Sequence, residues 1–575
     1  MTTRRFQPRS RPCLALALGT ALCGCQGAPT APAPTESPAE GSEAIVPVGT
    51  EPRFFDVTAA SGITWAHNNG AFGQRWLPET LGPGVLLFDA DGDEALDVLF
   101  VNGTNFPGQP GEATTPALYV NRGNLTFEDR TVDFGLDLGV YCLGGAAADV
   151  ENDGDPDVYL SCVGQDLLLR NEGGRFVEVG AQAGLTREYE LGASVAFFDA
   201  DADGFLDVFA ARYVPWTPET DLFCAAYGEA KSYCTPFRYP GTASRFYRNR
   251  GDGTFEERTR EAGLFNSEAK ALGVVAFDVE GDGRTDLAVA CDTYQNLLYR
   301  NLGDGTFEEI AAPSGLAFSN SGRYQGGMGI GVGDFDRSGE ASVVITYFMF
   351  EEMGVYLNQG DRFFFDVARR SGIGDSTRLT LGWATFFFDF NLDGWLDLLV
   401  VNGHLDEQVE TAGREGRYAQ PQQLFQNAGG GKFVDVTDTA GGDLATPLVG
   451  RGGAFGDLDG DGDPDVVVTS NGGAPKLFEN RGESGNWLIV DLEGTTSNRD
   501  AVGARIEVRT AQGRQTWQVY GGGSYLSQSQ REAIFGLGEA AEVDEVVVRW
   551  PSGGVQRLSD VPANQRLRIV EEEEI

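Results

Sequence analysis

The stretch Asp457-Leu-Asp-Gly-Asp-Gly-Asp-Pro-Asp465 places acids at the first, third, fifth and ninth positions of one loop, with Gly462 at the sixth. Carboxylates at that spacing can wrap oxygens around a single hard cation, and the glycine lets the backbone turn sharply between them. Calcium takes about six to eight oxygen ligands in flexible geometry, which suits such a loop better than magnesium or zinc does. Variants begin at Asp89, Asp149, Asp199, Asp278, Asp334 and Asp389, at intervals of 50 to 79 residues. Asp89, Asp91, Asp93 and Asp97 form a full set, as do Asp199, Asp201, Asp203 and Asp207, and Asp457, Asp459, Asp461 and Asp465. Glutamate enters once in Asp149, Glu151, Asp153 and Asp157, and once in Asp278, Glu280, Asp282 and Asp286. Asn391 joins Asp389, Asp393 and Asp397 as a neutral donor. The fifth copy keeps Asp334 and Asp336 but has Ser338 and Ser342 where acids are expected, so it should bind weakly or not at all. The expectation is about six structural Ca2+ sites. A helical calcium hand would need flanking helices and a glutamate at the twelfth position; strand-like runs flank these loops.

The elements around each loop repeat as well. An apolar strand enters, as in Val85-Leu-Leu-Phe-Asp89, and a second leaves, as in Asp97-Val-Leu-Phe-Val101. A hairpin follows, typified by Leu298-Tyr-Arg-Asn-Leu-Gly-Asp-Gly-Thr-Phe-Glu-Glu and closed by a Ser-Gly-Leu turn, with Asp-Gly as the turn signal. Each unit is thus four short strands. Seven such units without helical periodicity predict an all-β fold, a seven-bladed β-propeller. Arg53-Phe-Phe-Asp-Val-Thr58 matches only the second half of the hairpin and Leu477-Phe-Glu-Asn-Arg-Gly482 only the first, so the two should pair and close the ring. Residues 487–570 alternate apolar and polar in short runs between Gly-rich turns, which predicts a small β-sandwich-like domain. The run Glu571–Glu574 reads as a solvated tail.

With 43 basic and 85 acidic residues the net charge is −42, and 41% apolar content sets the chain apart from disordered acidic sequences. The lack of a basic footprint argues against nucleic acid as partner. Arg4, Arg5, Arg9 and Arg11, an apolar stretch from Leu14 to Leu22, and Leu22-Cys-Gly-Cys25 read as a lipoprotein signal peptide over residues 1–24, with lipidation on Cys25. Loss of those four arginines takes the charge to −46, and six filled calcium sites would bring it to about −34. Residues 25–50, rich in Ala, Pro, Thr, Ser and Glu, read as a flexible tether. The expected organisation is then leader 1–24, tether 25–50, propeller 51–484, C-terminal β domain 485–571 and acidic tail 572–575. The protein is expected to be exported to the cell envelope, touching the membrane through lipid alone.

The acidic loops, with Leu-Tyr-Arg-Asn and Gly-Asp-Gly-Thr-Phe-Glu, resemble the FG-GAP/VCBS repeats of integrin-α-type propellers. Ala501-Val-Gly-Ala-Arg-Ile-Glu-Val, Gly523-Ser-Tyr-Leu-Ser-Gln-Ser, Phe535-Gly-Leu-Gly and Val548-Arg-Trp-Pro-Ser-Gly resemble the ASPIC/UnbV domain of cartilage acidic protein-like secreted proteins. His67-Asn-Asn-Gly, Leu77-Pro-Glu-Thr and Val401-Asn-Gly-His404 are similar to that family too. The resemblance implies an extracellular calcium-binding protein and supplies no enzymatic mechanism.

Strand direction puts the long insertions, 102–117, 209–245 and 402–423, together with 63–84, on the face opposite the acidic loops. Loops on a rigid scaffold are where binding usually resides. That face should carry His67, Glu79, Asn102, Asn402, His404 and Asp406 with the aromatics Tyr213, Trp216, Tyr227, Tyr233 and Tyr239. Such groups suit a protein or glycan ligand, and the same aromatics could simply pack the insertions. Neither histidine lies in a HExxH pattern, and no Gly-x-Ser-x-Gly elbow appears. A ligand-binding propeller is the leading expectation; an enzyme acting on polysaccharide or another acidic polymer, and a surface scaffold, are the alternatives. Cys224 and Cys234 are expected to form a disulfide, Cys142 and Cys162 are candidates for a second, and Cys291 is left for burial.

Overall fold

The computed structural model describes residues 49–186, 189–225, 229–410, 415–482 and 484–572. The expected leader, Cys25, nearly all of the tether and Tyr227 lie outside these residues. Among the described residues no helix is long and apolar enough to cross a membrane.

Among the described residues seven antiparallel sheets follow one another along the chain, each with a four-strand path, and Gln325–Gly326 adds a fifth strand to one of them by pairing with Asp286–Tyr294. The first comprises Val85–Phe88, Asp97–Phe100, Ala117–Asn121 and Phe127–Asp129. Its first strand packs against Cys142–Ala148 of the second sheet, and this neighbour relation passes through Glu190–Phe198, Ala271–Phe277, Ile330–Gly333, Gly382–Phe388 and Gly450–Gly456, then back to Val85–Phe88. The fold is a β-propeller. Its closure is the expected one: Phe54–Asp56 pairs antiparallel with Lys476–Asn480, aligning Phe54 with Asn480. The first strands are wholly buried, and Cys142–Ala148 is a run of small residues because it lines the crowded centre.

Two contacts join every blade to the next. The hairpin asparagine reaches back to the preceding acidic loop: Asn301 Nδ2 donates to the Ala200 carbonyl at 2.8 Å and to Thr285 O at 3.1 Å. Asn121 does the same to Leu458 O of the last blade at 2.8 Å, so these latches run around the whole ring. The second contact is the glycine of the Ser-Gly-Leu-type turn. Gly263 has φ +79°, and a Cβ there would sit 2.7 Å from Phe307 O of the next blade, which excludes larger residues on both counts.

The C-terminal domain has two sheets. Asn486–Glu493 lies between Ala533–Gly538 and, in parallel, Gln565–Val570; the other sheet orders Gly513–Gln518, Arg505–Thr510, Glu542–Arg549 and Val555–Pro562. One sequence expectation fails here. Glu571 is no solvated tail residue: it is buried, and its Oε2 accepts from the backbone N–H groups of Thr495, Thr496 and Ser497 at 2.8 to 2.9 Å. Converging amides make a small anion nest, which outweighs the loss of hydration.

This domain also fills the centre of the propeller. Innermost strands leave one backbone edge unpaired, and the stretch from Gln518 to Ser529 meets that edge in every blade. Val85 N donates to Ser527 Oγ at 3.2 Å, and Ala147 N to Gln528 Oε1 at 2.8 Å. Phe197 N donates to Gly521 O at 2.7 Å, and Ile330 N to Ser524 O at 3.1 Å. Asp278 N, Thr385 N and Phe455 N reach Gln518 Oε1, Ser524 Oγ and Ser529 Oγ at 3.0 to 3.1 Å.

Candidate functional site

On the acidic-loop face, carboxylate oxygens converge in three loops: Asp89, Asp91 and Asp97; Asp199, Asp201 and Asp203; and Asp457, Asp459 and Asp461, each trio lying within 4.8 Å of one another. The donor set is all oxygen, as a hard cation requires. In the third loop Arg248 pairs with Asp201 Oδ2 at 2.6 Å and Asp203 Oδ2 at 3.2 Å, while Asp201 Oδ1 is buried with no hydrogen-bond partner, and so is Asp463 Oδ1 at the seventh position of the last loop. An orphaned buried carboxylate oxygen is costly unless something positive meets it.

In the remaining loops the described carboxylates do not converge as such trios. Glu151 turns to Arg170 at 2.8 Å, and Glu280 to Arg300 and Arg362 at 2.6 and 3.1 Å. Asn391 Nδ2 donates to Asp393 Oδ2 at 3.0 Å. In the fifth loop Ser342 Oγ accepts from Asn358 N at 3.0 Å. That is the bond an acid makes elsewhere: Asp97 Oδ1 accepts from Asn121 N at 2.8 Å and its Oδ2 from Ala90 N at 2.9 Å. The ninth-position acids Asp97, Asp157, Asp207, Asp286, Asp397 and Asp465 are all buried. Burial pushes Asp97 and Asp286 up to about 7 and Asp157 to about 8, against the pull of these amides. A bound cation would reverse that direction.

The acidic-loop face is covered by the C-terminal domain. Asp149 N donates to Asp500 Oδ2 at 2.7 Å, Asp457 N to Gln530 Oε1 at 2.7 Å, and Thr516 Oγ1 to Asp334 Oδ2 at 2.8 Å. A cleft of about 470 Å³ remains between the first two loops and that domain, lined by both acids and arginines, among them Asp89, Asp149, Asp491, Arg499, Arg531 and Arg568.

The insertions enclose a cavity of about 220 Å³ bounded by Leu81, Tyr213, Tyr233, Asp292, Tyr324, Glu351, Trp383, His404 and Asp406. The disulfide Cys224–Cys234 braces the insertion that supplies Tyr233 and Phe237, and Cys142–Cys162 joins paired strands nearby. Tyr213 donates its hydroxyl to Asp292 Oδ2 at 2.6 Å, and Glu351 Oε2 accepts from Gly326 N at 2.8 Å. The two carboxylates flank Gly326, where a Cβ would meet Asp292 Oδ1 at 3.2 Å and Glu351 Oε2 at 3.7 Å. Burial, reinforced by the Glu351 charge, lifts Asp292 to about 7; burial raises Glu351 too. Asp406 pairs with Arg75 at 3.3 Å, and Tyr233 donates to Glu79 Oε2 at 2.9 Å. His404 is buried, its Nδ1 3.1 Å from the donating Asp406 N, and burial lowers its pKa. Trp383 stacks under the Arg451 guanidinium at 4.1 Å and against Tyr525, the tip of the central plug, at 5.0 Å.

Six of the described face residues singled out in the sequence stand away from the cavity wall: Glu79, which accepts from Tyr233, the buried Tyr239, and four more. Trp216 is buried against Trp76 and Phe106. Asn102 accepts from Asn68 N at 2.9 Å, and Asn402 donates into its own insertion, from Nδ2 to Pro421 O at 3.0 Å and from its backbone N–H to Gln422 Oε1 at 2.7 Å. His67 Nδ1 accepts from Gly472 N at 3.0 Å. These residues pack and tie loops, the simpler of their two roles.

Residues 494–575 match the family described as ASPIC and UnbV, and residues 89–160, 219–289, 278–345 and 411–468 match FG-GAP-like repeat. The chain is an FG-GAP-like repeat protein with an ASPIC/UnbV domain. It is 26% identical over 504 residues to cartilage acidic protein 1 of Xenopus tropicalis, covering 83% of this chain and 71% of that one. The human cartilage acidic protein 1 is 24% identical over 505 residues, covering 83% and 70%. Among solved structures, YCF48 bound to D1 peptide aligns over 77% of this chain and all of its own, with 8% identity and a TM-score of 0.41.

Within the FG-GAP repeats, sequence reasoning passed over Asp292, Glu351 and Trp383, because each stands outside the repeating signature and only the ring brings them together. Arg451 was missed as well. It is fully buried beside the plug, where its Nε donates to Thr80 O and its Nη1 to Gly450 O, both at 2.7 Å. The ASPIC/UnbV motif Gly523-Ser-Tyr-Leu-Ser-Gln-Ser was visible, and its role as a plug was not.

Proposed function

We propose that this is an exported protein, lipid-anchored through Cys25 and loaded with structural calcium, whose insertion face binds a protein or glycan ligand. The observation that carries the reading is the insertion-face cavity: half-exposed aromatics, Phe237, Tyr324 and Phe348, stand at its mouth above buried carboxylates. Large apolar side chains left open around a concavity mark interaction sites. The oxygen trios of the first, third and seventh loops, with the orphaned Asp201 Oδ1, support the calcium component. The names of the similar cartilage acidic proteins fit an exported life.

The test is capture of glycans and envelope or matrix proteins on arrays by the purified protein in calcium buffer. Binding abolished by Tyr324→Ala or Phe237→Ala supports the reading; binding indifferent to both refutes the site. Labelled palmitate should be incorporated by the wild type and not by Cys25→Ala. A second reading, a hydrolase or lyase on polysaccharide, draws on Asp292 and Glu351, two raised carboxyls beside one glycine. Turnover lost in Asp292→Asn would favour it.

A further inference from the structure

We infer that the insertion-face cavity takes a compact organic ammonium group, held between the Asp292 and Glu351 carboxylates and the rings of Tyr213 and Tyr324. The inference rests on the reading of this face as a ligand site and names the chemistry of what enters it.

Charge accounting comes first. The cavity wall carries three carboxylates, Asp292, Glu351 and Asp406, and no lysine or arginine. Asp406 is already paired with Arg75. Asp292, only 9% exposed, has a neutral partner in Tyr213. Lys270, the cation that acts on it, directs its own ammonium to Thr293 Oγ1 at 3.4 Å. Glu351 is bonded to backbone N–H groups alone. Beyond the longer-range charge of Lys270, two neighbouring acids thus face the cavity with no direct ion pair among the described residues, which is costly until a cation arrives. Burial lowers the pKa of His404, the base on the wall.

The rest of the wall decides which cation. A metal ion prefers a full shell of oxygens, whereas this wall is mainly aromatic and aliphatic: Leu77, Leu81, Leu272 and Met328 join the rings. Aromatic faces attract ammonium groups through the ring quadrupole, most strongly where water is excluded. The molecule itself shows the chemistry twice at the border of the cavity: Arg75 lies 5.5 Å from the Tyr233 ring centre and Arg451 lies 4.1 Å from that of Trp383, on guanidinium groups supplied by the chain. The Tyr213 and Tyr324 rings offer the same kind of surface further in. At about 220 Å³ the space suits one small head group rather than a whole oligomer.

The test is calorimetric titration of the full-length protein with n-butylammonium and with tetramethylammonium chloride, using sodium and calcium chloride as controls. Saturable binding of an ammonium is expected, weakened at least tenfold by Glu351→Gln and by Asp292→Asn. Tyr324→Ala, at a half-exposed rim position, should weaken tetramethylammonium and leave the thermal melt unchanged. Tighter butylammonium binding would mark a primary amine as the natural group, and tighter tetramethylammonium a quaternary one. Absence of saturable binding by either, unchanged affinity in Glu351→Gln, or displacement by calcium would overturn the inference. If macromolecular capture by the insertion face persists in Glu351→Gln and in excess ammonium, the inference falls and the broader function stands. Ammonium binding without any captured macromolecule has the opposite meaning.

Discussion

Asn301 illustrates how much of this fold rests on single polar side chains. Its amide donates to one carbonyl of its own blade and one of the preceding acidic loop, and its Oδ1 accepts from Gly303 N at 2.8 Å. Asn301→Ala removes three bonds at a buried position, and each stranded buried group costs about 1–3 kcal/mol. We expect a stability loss of about 2–4 kcal/mol by urea denaturation; a loss below 1 kcal/mol would mean the latch is dispensable. His67 gives the second prediction. Burial, reinforced by the nearby Arg451 charge, holds its pKa at about 3. Its folded pKa is thus below the unfolded value near 6.5, so the unfolded chain binds the extra proton between these limits. Neutral His67 therefore contributes stability above about pH 6.5 that is lost as pH falls toward 3, at up to about 1.4 kcal/mol per pH unit. Compared with His67→Gln, the wild type should lose stability more steeply between pH 6 and pH 4; parallel curves would contradict a buried neutral imidazole. The asparagine was visible in the sequence as part of a repeated signature, but its partner lies a blade away and nothing local identifies it.

At the scale of elements, the four-strand unit was fully legible because its signals are local: an acidic loop, an Asp-Gly turn and alternating apolar runs. Ring closure was legible as well, since half a hairpin stood at each end. The plug was not. Gly521-Gly-Gly-Ser-Tyr-Leu reads as a polar turn, and its partners Val85, Ala147 and Phe197 are more than 300 residues away in sequence. Its polar composition makes sense only against the unpaired strand edges that it satisfies. Gln528 shows the logic most clearly, because its amide both accepts from Ala147 N and donates to Ala147 O at 3.0 Å. Gln528→Ala should cost about 2–4 kcal/mol by leaving that pair buried and unmet. A chain ending at residue 484 should aggregate, since its inner edges would be open to pairing. A monomeric truncation with the melting temperature of the full chain would show that the plug merely fills space.

For the molecule as a whole, the position of the C-terminal domain changes what the acidic loops would do with calcium. Reading the loops alone, one expects calcium to stiffen separate blade edges. Instead the loops form one side of an interface: Asp149, Asp278, Asp334 and Asp457 each exchange a hydrogen bond with Asp500, Gln518, Thr516 or Gln530. Crowded acids without cations repel one another and Asp500, whose charge adds to burial in raising Asp149 to about 6. Removing metal from such a face should loosen the domain that covers it, and a ligand bound only by the folded state stabilises by mass action. Chelation is thus expected to lower the melting temperature and to speed amide exchange at residues 149–155 and 521–530 together, with calcium restoring both. The paired response is the informative part. Faster exchange in the loops with the plug still protected would confine calcium to the blades. No change in either segment would remove structural metal from this protein altogether.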